Sequence, residues 1–189
     1  YPYQSQGELA QQLHLSQLEA FPHPTPHTPT FALLTVPLAW VNYETALAIW
    51  LAAEFGCLAI TLWLFCRWWS VPASWWQLLL IAGAMVGWGP ALFDFAVKQF
   101  NFFFLLILVL GWLAWRQERY RWAGVLLGLL TALKLVFWPF ILFLLLKRRW
   151  RAAIMALAVF SATNLTAAIV LGFPTIVDYY QNVGPAVTA

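Results

Sequence analysis

Residues 44–66 are apolar apart from Glu44, Glu54 and scattered Thr, and residues 151–171 are apolar after a single Arg151. As helices these runs reach roughly 35 Å and 30 Å at 1.5 Å per residue, enough to cross a hydrocarbon core of about 30 Å. Sealing a chain inside lipid forces each span to satisfy its own backbone polar groups, which leaves helices or a closed barrel. Apolar runs of this length select helices. Composition agrees: 63% of the 189 residues are hydrophobic and only 9% charged, and mean hydropathy is +0.75. A soluble domain of this size cannot hide so much apolar surface. Disorder, a nucleic-acid-binding domain and an ordinary cytosolic enzyme are excluded, and an integral membrane protein of all-α class, a polytopic transmembrane helical bundle, is expected.

The net charge of +3 matters less than its placement. Eight of the ten basic residues fall in three clusters: Arg67; Arg116, Arg119 and Arg121; and Lys147, Arg148, Arg149 and Arg151. Short basic loops mark the cytoplasmic side, and Trp68, Trp69, Trp75, Trp76, Trp112, Trp115, Trp122 and Trp150 beside them read as an interfacial belt. Binding of acidic lipid by the same clusters is compatible with that reading. Cys57 and Cys66 share one apolar run and read as small hydrophobes.

One transmembrane domain covers 1–189. Residues 1–29 are expected to be an extracytoplasmic loop, ending in the run Phe21-Pro-His-Pro-Thr-Pro-His-Thr-Pro29, whose prolines forbid a continuous helix. Residues 30–40 are too short to span and read as a short interfacial or re-entrant helix. Membrane helices follow at 44–66, at 74–93 with a kink near Gly87-Trp-Gly-Pro90, at 102–115 after a polar turn from Asp94 to Asn101, and at 151–171; residues 172–189 read as an outer loop. Residues 122–146 break the pattern, because basic clusters bracket both ends. A single span puts one cluster on the wrong face. The alternative is a broken hairpin that turns near Leu133-Lys134-Leu135, with irregular backbone tolerated only inside protein or beside a watery cavity.

Either way Lys134 lies within the bilayer, at a cost of about 2.5–3.5 kcal/mol on insertion scales. A cation kept there grips an anion such as a phosphate, or else snorkels or pairs with a buried carboxylate. Glu54, deep in its own span, is the natural structural charge partner, or a buried base. Asp94, Lys98, Gln99 and Asn101 gather a carboxylate, an ammonium and two amides that suit sugar hydroxyls and a phosphate, or simply a solvated turn. His23 and His27 cannot form a helical metal pair across Pro24 and Pro26, and no metal is expected. Thr163, Asn164 and Thr166 read as interhelical hydrogen-bonders.

In order along the chain, Lys98-Gln-Phe-Asn-Phe-Phe-Phe104, Ala123-Gly-Val-Leu-Leu-Gly-Leu-Leu-Thr-Ala-Leu-Lys134, Pro139 and Lys147-Arg-Arg-Trp-Arg-Ala-Ala153 resemble the GT-C glycosyltransferases of family 87. Thr28-Pro-Thr-Phe-Ala-Leu-Leu34 with Pro37-Leu38, and Phe173-Pro174 with Asp178-Tyr-Tyr-Gln-Asn-Val183, look like further stretches of that family, whose Gly before the Gln is here Lys98. The resemblance implies transfer of a hexose, mannose foremost, from a polyprenyl-phosphate sugar to an extracytoplasmic lipid or glycan acceptor. It implies inversion at the anomeric carbon, no cofactor beyond the lipid-phosphate sugar as substrate, no nucleic-acid partner, and an active site on the outer face of the bacterial inner membrane. Lys134, with Lys98, then holds the donor phosphate, and Gln99, Asn101 and His27 bind sugar or acceptor. The family places its catalytic carboxylate after a first helix upstream of Tyr1; within these residues Asp94 is the candidate base, ahead of Glu44 and Glu54. The competing functions are a transporter or flippase component for a lipid-linked or anionic substrate, in which Lys134 and Glu54 line a path, and a non-catalytic membrane scaffold.

Overall fold

The computed structural model describes residues 27–68, 74–89 and 99–183. Every regular element among them is helical. They fall into two compact units, residues 37–126 and the remainder on either side of it.

In the first of these, α2 (Tyr43–Trp68) runs unbroken for 26 residues. Asn42 starts it by accepting the Thr45 N–H at 2.8 Å, and Arg67 in its last turn suits the negative end of the helix dipole. Its buried stripe is Trp50, Glu54, Leu58 and Thr61, the spacing that keeps one face of a helix turned inward. Opposite surfaces carry exposed Ile49, Phe55, Ile60 and Trp63, as lipid contact requires. Helix α3 (Trp75–Gly87) opens on Ser74, whose N–H donates to Gln77 Oε1 at 2.8 Å. It ends at Gly87, where Trp88 takes an extended conformation; residues 90–93, the rest of the expected 74–93 segment, lie outside the described residues. Leu58 of α2 packs on Phe102 of α4 (Asn101–Arg116), with Cys57, Leu62, Ala82, Met85 and Leu105 around them. Asn101 is therefore the first residue of a helix, and not the end of a polar turn.

Helix α5 (Tyr120–Leu133) passes from this unit into the other. After it come Lys134 in extended conformation, a 3-10 turn at Leu135–Phe137, and α6 (Pro139–Leu146), which has Pro at its start where no donor is lost. Helix α7 (Trp150–Leu171) is 22 residues long and exposes Ile154, Leu157, Leu165, Ile169 and Val170. Both basic connections close with the same device. Glu118 N–H donates to Trp115 O and Arg119 N–H to Ala114 O; Arg148 N–H donates to Leu145 O and Arg149 N–H to Leu144 O. These are Schellman turns, which need a left-handed residue just past the helix. Glu118 (φ 59°) and Arg148 (φ 53°) fill that position without glycine.

The unit that holds α7 begins at α1 (Pro29–Thr35), continued by a 3-10 turn at Val36–Trp40 that belongs to the other unit from Pro37 onward. Helix α1 packs on α7. Gly128 of α5 sits against the backbone of Ala156, where α7 contributes fully buried Ala152, Ala153 and Ala156. Small residues allow two membrane helices this approach. The expected outer loop after 171 is instead helical: Gly172 (φ 92°) ends α7, and Pro174 opens α8 (Phe173–Asp178), followed by a π turn at Tyr179–Val183. Thr175 Oγ1 takes the carbonyl of Leu171 at 3.0 Å across that joint.

Candidate functional site

The break at Lys134 exposes the carbonyls that end α5, and buried carbonyls left unpaired are costly. Thr28 supplies the donor for these carbonyls, and Thr131 ties the helix to the turn beyond it. Thr28 Oγ1 donates to the carbonyl of Ala132 and also faces that of Leu133 at 3.1 Å. The same oxygen accepts the Phe31 N–H at 3.3 Å, so one hydroxyl finishes α5 and starts α1. Thr131 Oγ1 bridges Leu127 O (2.8 Å) and Phe137 O (3.3 Å), tying α5 to the turn beyond the break. Lys134 itself keeps its N–H on Leu130 O at 3.0 Å, and its carbonyl receives the Phe137 N–H at 3.2 Å. Lys134, a half-buried residue, thus sits on a backbone held by hydrogen bonds on both sides of the break.

His27 stands in the field of this cation. Its ring stacks on Phe31 with centroids 4.3 Å apart. Burial first, and the positive charge of Lys134 second, hold its imidazole down at about 4. At neutral pH the ring is uncharged and offers one donor and one acceptor, which suits a hydroxyl. The structure thus brings His27 and Lys134 together, as residues 107 apart in sequence could not advertise.

In the same unit, Tyr180 OH donates to Asn164 Oδ1 at 3.0 Å, joining the π turn to α7. Burial, and then Tyr179, push the Tyr180 phenol up to about 12, while the bond to Asn164 opposes them. Of the three polar residues expected to bond between helices, Asn164 does so. Thr163 and Thr166 instead turn back to their own helix, on Val159 O and Phe160 O and on Ala162 O; a threonine in a helix reaches the preceding turn more easily than a neighbour.

The remaining expected site residues lie in the other unit or outside the described residues. Glu54 is 1% exposed, and its two oxygens accept the N–H groups of Phe102 (3.0 Å) and Phe103 (3.2 Å). It caps α4 from another helix, and a carboxylate at the positive end of a helix dipole is well placed. Trp50, one turn before it, meets Phe100 edge-on at 5.9 Å. Asn101 Nδ2 donates to Gln99 Oε1 at a long 3.4 Å. Glu44 sits exposed in the first turn of α2. Asp94 and Lys98 lie outside the described residues. Sequence reasoning missed Thr28 as the pin of the site, although Thr before Pro is a helix-start signal that was available.

An all-α membrane protein with a cation at a break between short helices defines the class. The family model for glycosyltransferase family 87 matches residues 26–189. The polyprenol-phosphate-mannose-dependent alpha-(1-2)-phosphatidylinositol mannoside mannosyltransferase of Mycobacterium tuberculosis (strain ATCC 25618 / H37Rv) is 31% identical over 155 residues, which are 75% of this chain and 36% of that relative. This chain belongs to glycosyltransferase family 87. It spans about a third of the length of the curated relative it matches. No solved structure matches it.

Proposed function

We propose that the protein transfers a hexose, mannose foremost, from a polyprenyl-phosphate sugar to a lipid or glycan acceptor on the extracytoplasmic face of the bacterial inner membrane, with inversion. The donor's phosphate stays at the membrane surface while its isoprenoid tail lies in lipid. Lys134 meets that phosphate and offsets the charge that builds on it as the bond from the anomeric carbon to the phosphate oxygen breaks. His27, neutral and beside it, binds a sugar or acceptor hydroxyl; roles in the reaction for Gln99, Asn101 and Lys98 rest on the family resemblance alone. A carboxylate takes the acceptor's hydroxyl proton, and Asp94 is the candidate within this chain.

The observation that carries the reading is the helix break at Lys134, stabilised by Thr28 and Thr131, in a chain of this family. The name of the mycobacterial relative supports the donor and mannose. The geometry also favours a hairpin. Helices α5 and α6, at 14 and 8 residues, reach only about 21 Å and 12 Å, short of a 30 Å core, and both flanking turns are basic. Cysteines introduced at residues 117 and 149 are expected to label from the same, cytoplasmic side; labelling from opposite sides discards the hairpin. For the reaction, Lys134→Ala in the full protein is expected to abolish transfer from polyprenyl-phosphate mannose while thermal unfolding stays near wild type. Unchanged turnover removes Lys134 from the site.

A further inference from the structure

We propose that the ends of α2 and α4 form a site for an anionic membrane phospholipid, recognised through its phosphodiester. A cavity of about 310 Å³ lies there, lined by Leu64, Arg67, Trp68, Leu113 and Gln117, a size at the lower end of small-ligand pockets. The guanidinium of Arg116 rests on two rings that meet at a steep angle, 5.9 Å from Trp68 and 5.7 Å from Trp112, and those rings are 6.0 Å apart. Arg67 lies 5.7 Å from the ring of Trp63. Aromatic faces hold each cation in place without neutralising it, and among the described residues no carboxylate pairs with Arg67 or Arg116.

The C-terminal end of a helix repels anions. Here the last carbonyls of α4 are already taken by the N–H groups of Gln117, Glu118 and Arg119. The turn after α4 carries Arg116, Arg119 and Arg121 against one carboxylate, Glu118, and Arg67 at the end of α2 lines the cavity, so the local field attracts a phosphate. Leu64 and Leu113 supply an apolar wall for the start of an acyl chain. Tryptophans at this level mark the headgroup zone, and guanidinium groups suit a bidentate phosphate. A lipid matches both halves of the cavity; free phosphate matches only the charged half.

The test uses the full protein in mixed micelles with phosphatidylglycerol or phosphatidylcholine carrying a diazirine near the top of one acyl chain. Adducts on residues 64–68 and 112–117 are then mapped by mass spectrometry. Phosphatidylglycerol is expected to label these residues at least about fivefold more than phosphatidylcholine, as roughly 1 kcal/mol per arginine near a charged surface implies. Arg67→Gln/Arg116→Gln should erase that preference, and Arg67→Gln alone should reduce it if the double variant unfolds. Millimolar inorganic phosphate should leave the labelling unchanged. Equal labelling by the two lipids, a preference undiminished in Arg67→Gln, or displacement by inorganic phosphate overturns the proposal.

Discussion

Two charges lie in apolar stretches of the chain, and the helices around them treat them in opposite ways. Glu54 sits in the middle of an unbroken 26-residue helix, with both oxygens on the N–H groups that open α4. Lys134 sits where a helix stops, and two threonines satisfy the backbone so that the stop can persist. A carboxylate bound by the backbone of a neighbouring helix is part of the frame. A cation for which the chain interrupts its own helix is positioned for something else. The behaviour of the host helix therefore separates the two roles better than burial does.

The largest expected effect comes from removing the framing charge. Glu54→Ala leaves one buried and one part-buried N–H group at the start of α4 without their acceptor and should cost about 3 kcal/mol, read as a large drop in thermal midpoint in detergent. Glu54→Gln keeps one acceptor oxygen and should cost less. If Glu54→Ala unfolds no sooner than Lys134→Ala, the contrast between the two charges fails.

Next is Gly128→Val, whose side chain meets the backbone of Ala156. Overpacking at a rigid helix contact costs about 1–3 kcal/mol, so stability and expression should fall together, whereas Gly83→Val in α3 meets open space and should be tolerated.

Thr28→Val removes the hydroxyl shared by α1 and α5 and should cost about 1–2 kcal/mol, with Thr28→Ser restoring most of it. Turnover in Thr28→Val should fall by more than the loss of stability explains, since the backbone at Lys134 loses its pin. Retained turnover would detach α1 from the site.

The smallest effect is a gain. Arg148→Gly relieves a left-handed backbone at a turn that favours glycine and should stabilise by about 1 kcal/mol, measured by the same thermal scan. A loss there would mean that the arginine side chain contributes more than the backbone strain costs.

Much of this was legible in the sequence, and the rest was hidden for identifiable reasons. The apolar helices at 44–66, 102–115 and 151–171 follow from hydropathy, the observed helices differ at their ends by a residue or two, and the first and last are long and apolar enough to cross a membrane. The basic clusters at 116–121 and 147–151 mark where the chain turns, because the turns are helix C-termini and cations suit those ends. Lys134 stood out because a charge in an apolar run is conspicuous. Gly172-Phe-Pro174 signals a stop and so points to a loop, yet proline also begins helices: here Gly172 ends α7 and Pro174 opens α8. Glu54 as the cap of α4 leaves no local pattern, since its partners are 48 and 49 residues away. His27 was singled out by the family resemblance, and its neighbourhood with Lys134 came only from the fold.

The central claim, that Lys134 receives a lipid-borne phosphate, has a direct reporter beside it. In the folded protein His27 titrates at about 4 because of burial and the positive charge of Lys134. Between the ordinary value of 6.5 and about 4 the unfolded chain binds a proton that the folded one refuses. This contribution to stability is complete above pH 6.5 and fades as pH falls through that window. An anion seated on Lys134 cancels one of the two causes. The decisive measurement is the carbon-13 NMR titration of His27 in the full protein, with and without polyprenyl phosphate. The account predicts that His27 moves upward from about 4 when the lipid phosphate binds. A His27 titration that stays in place with polyprenyl phosphate bound would contradict it.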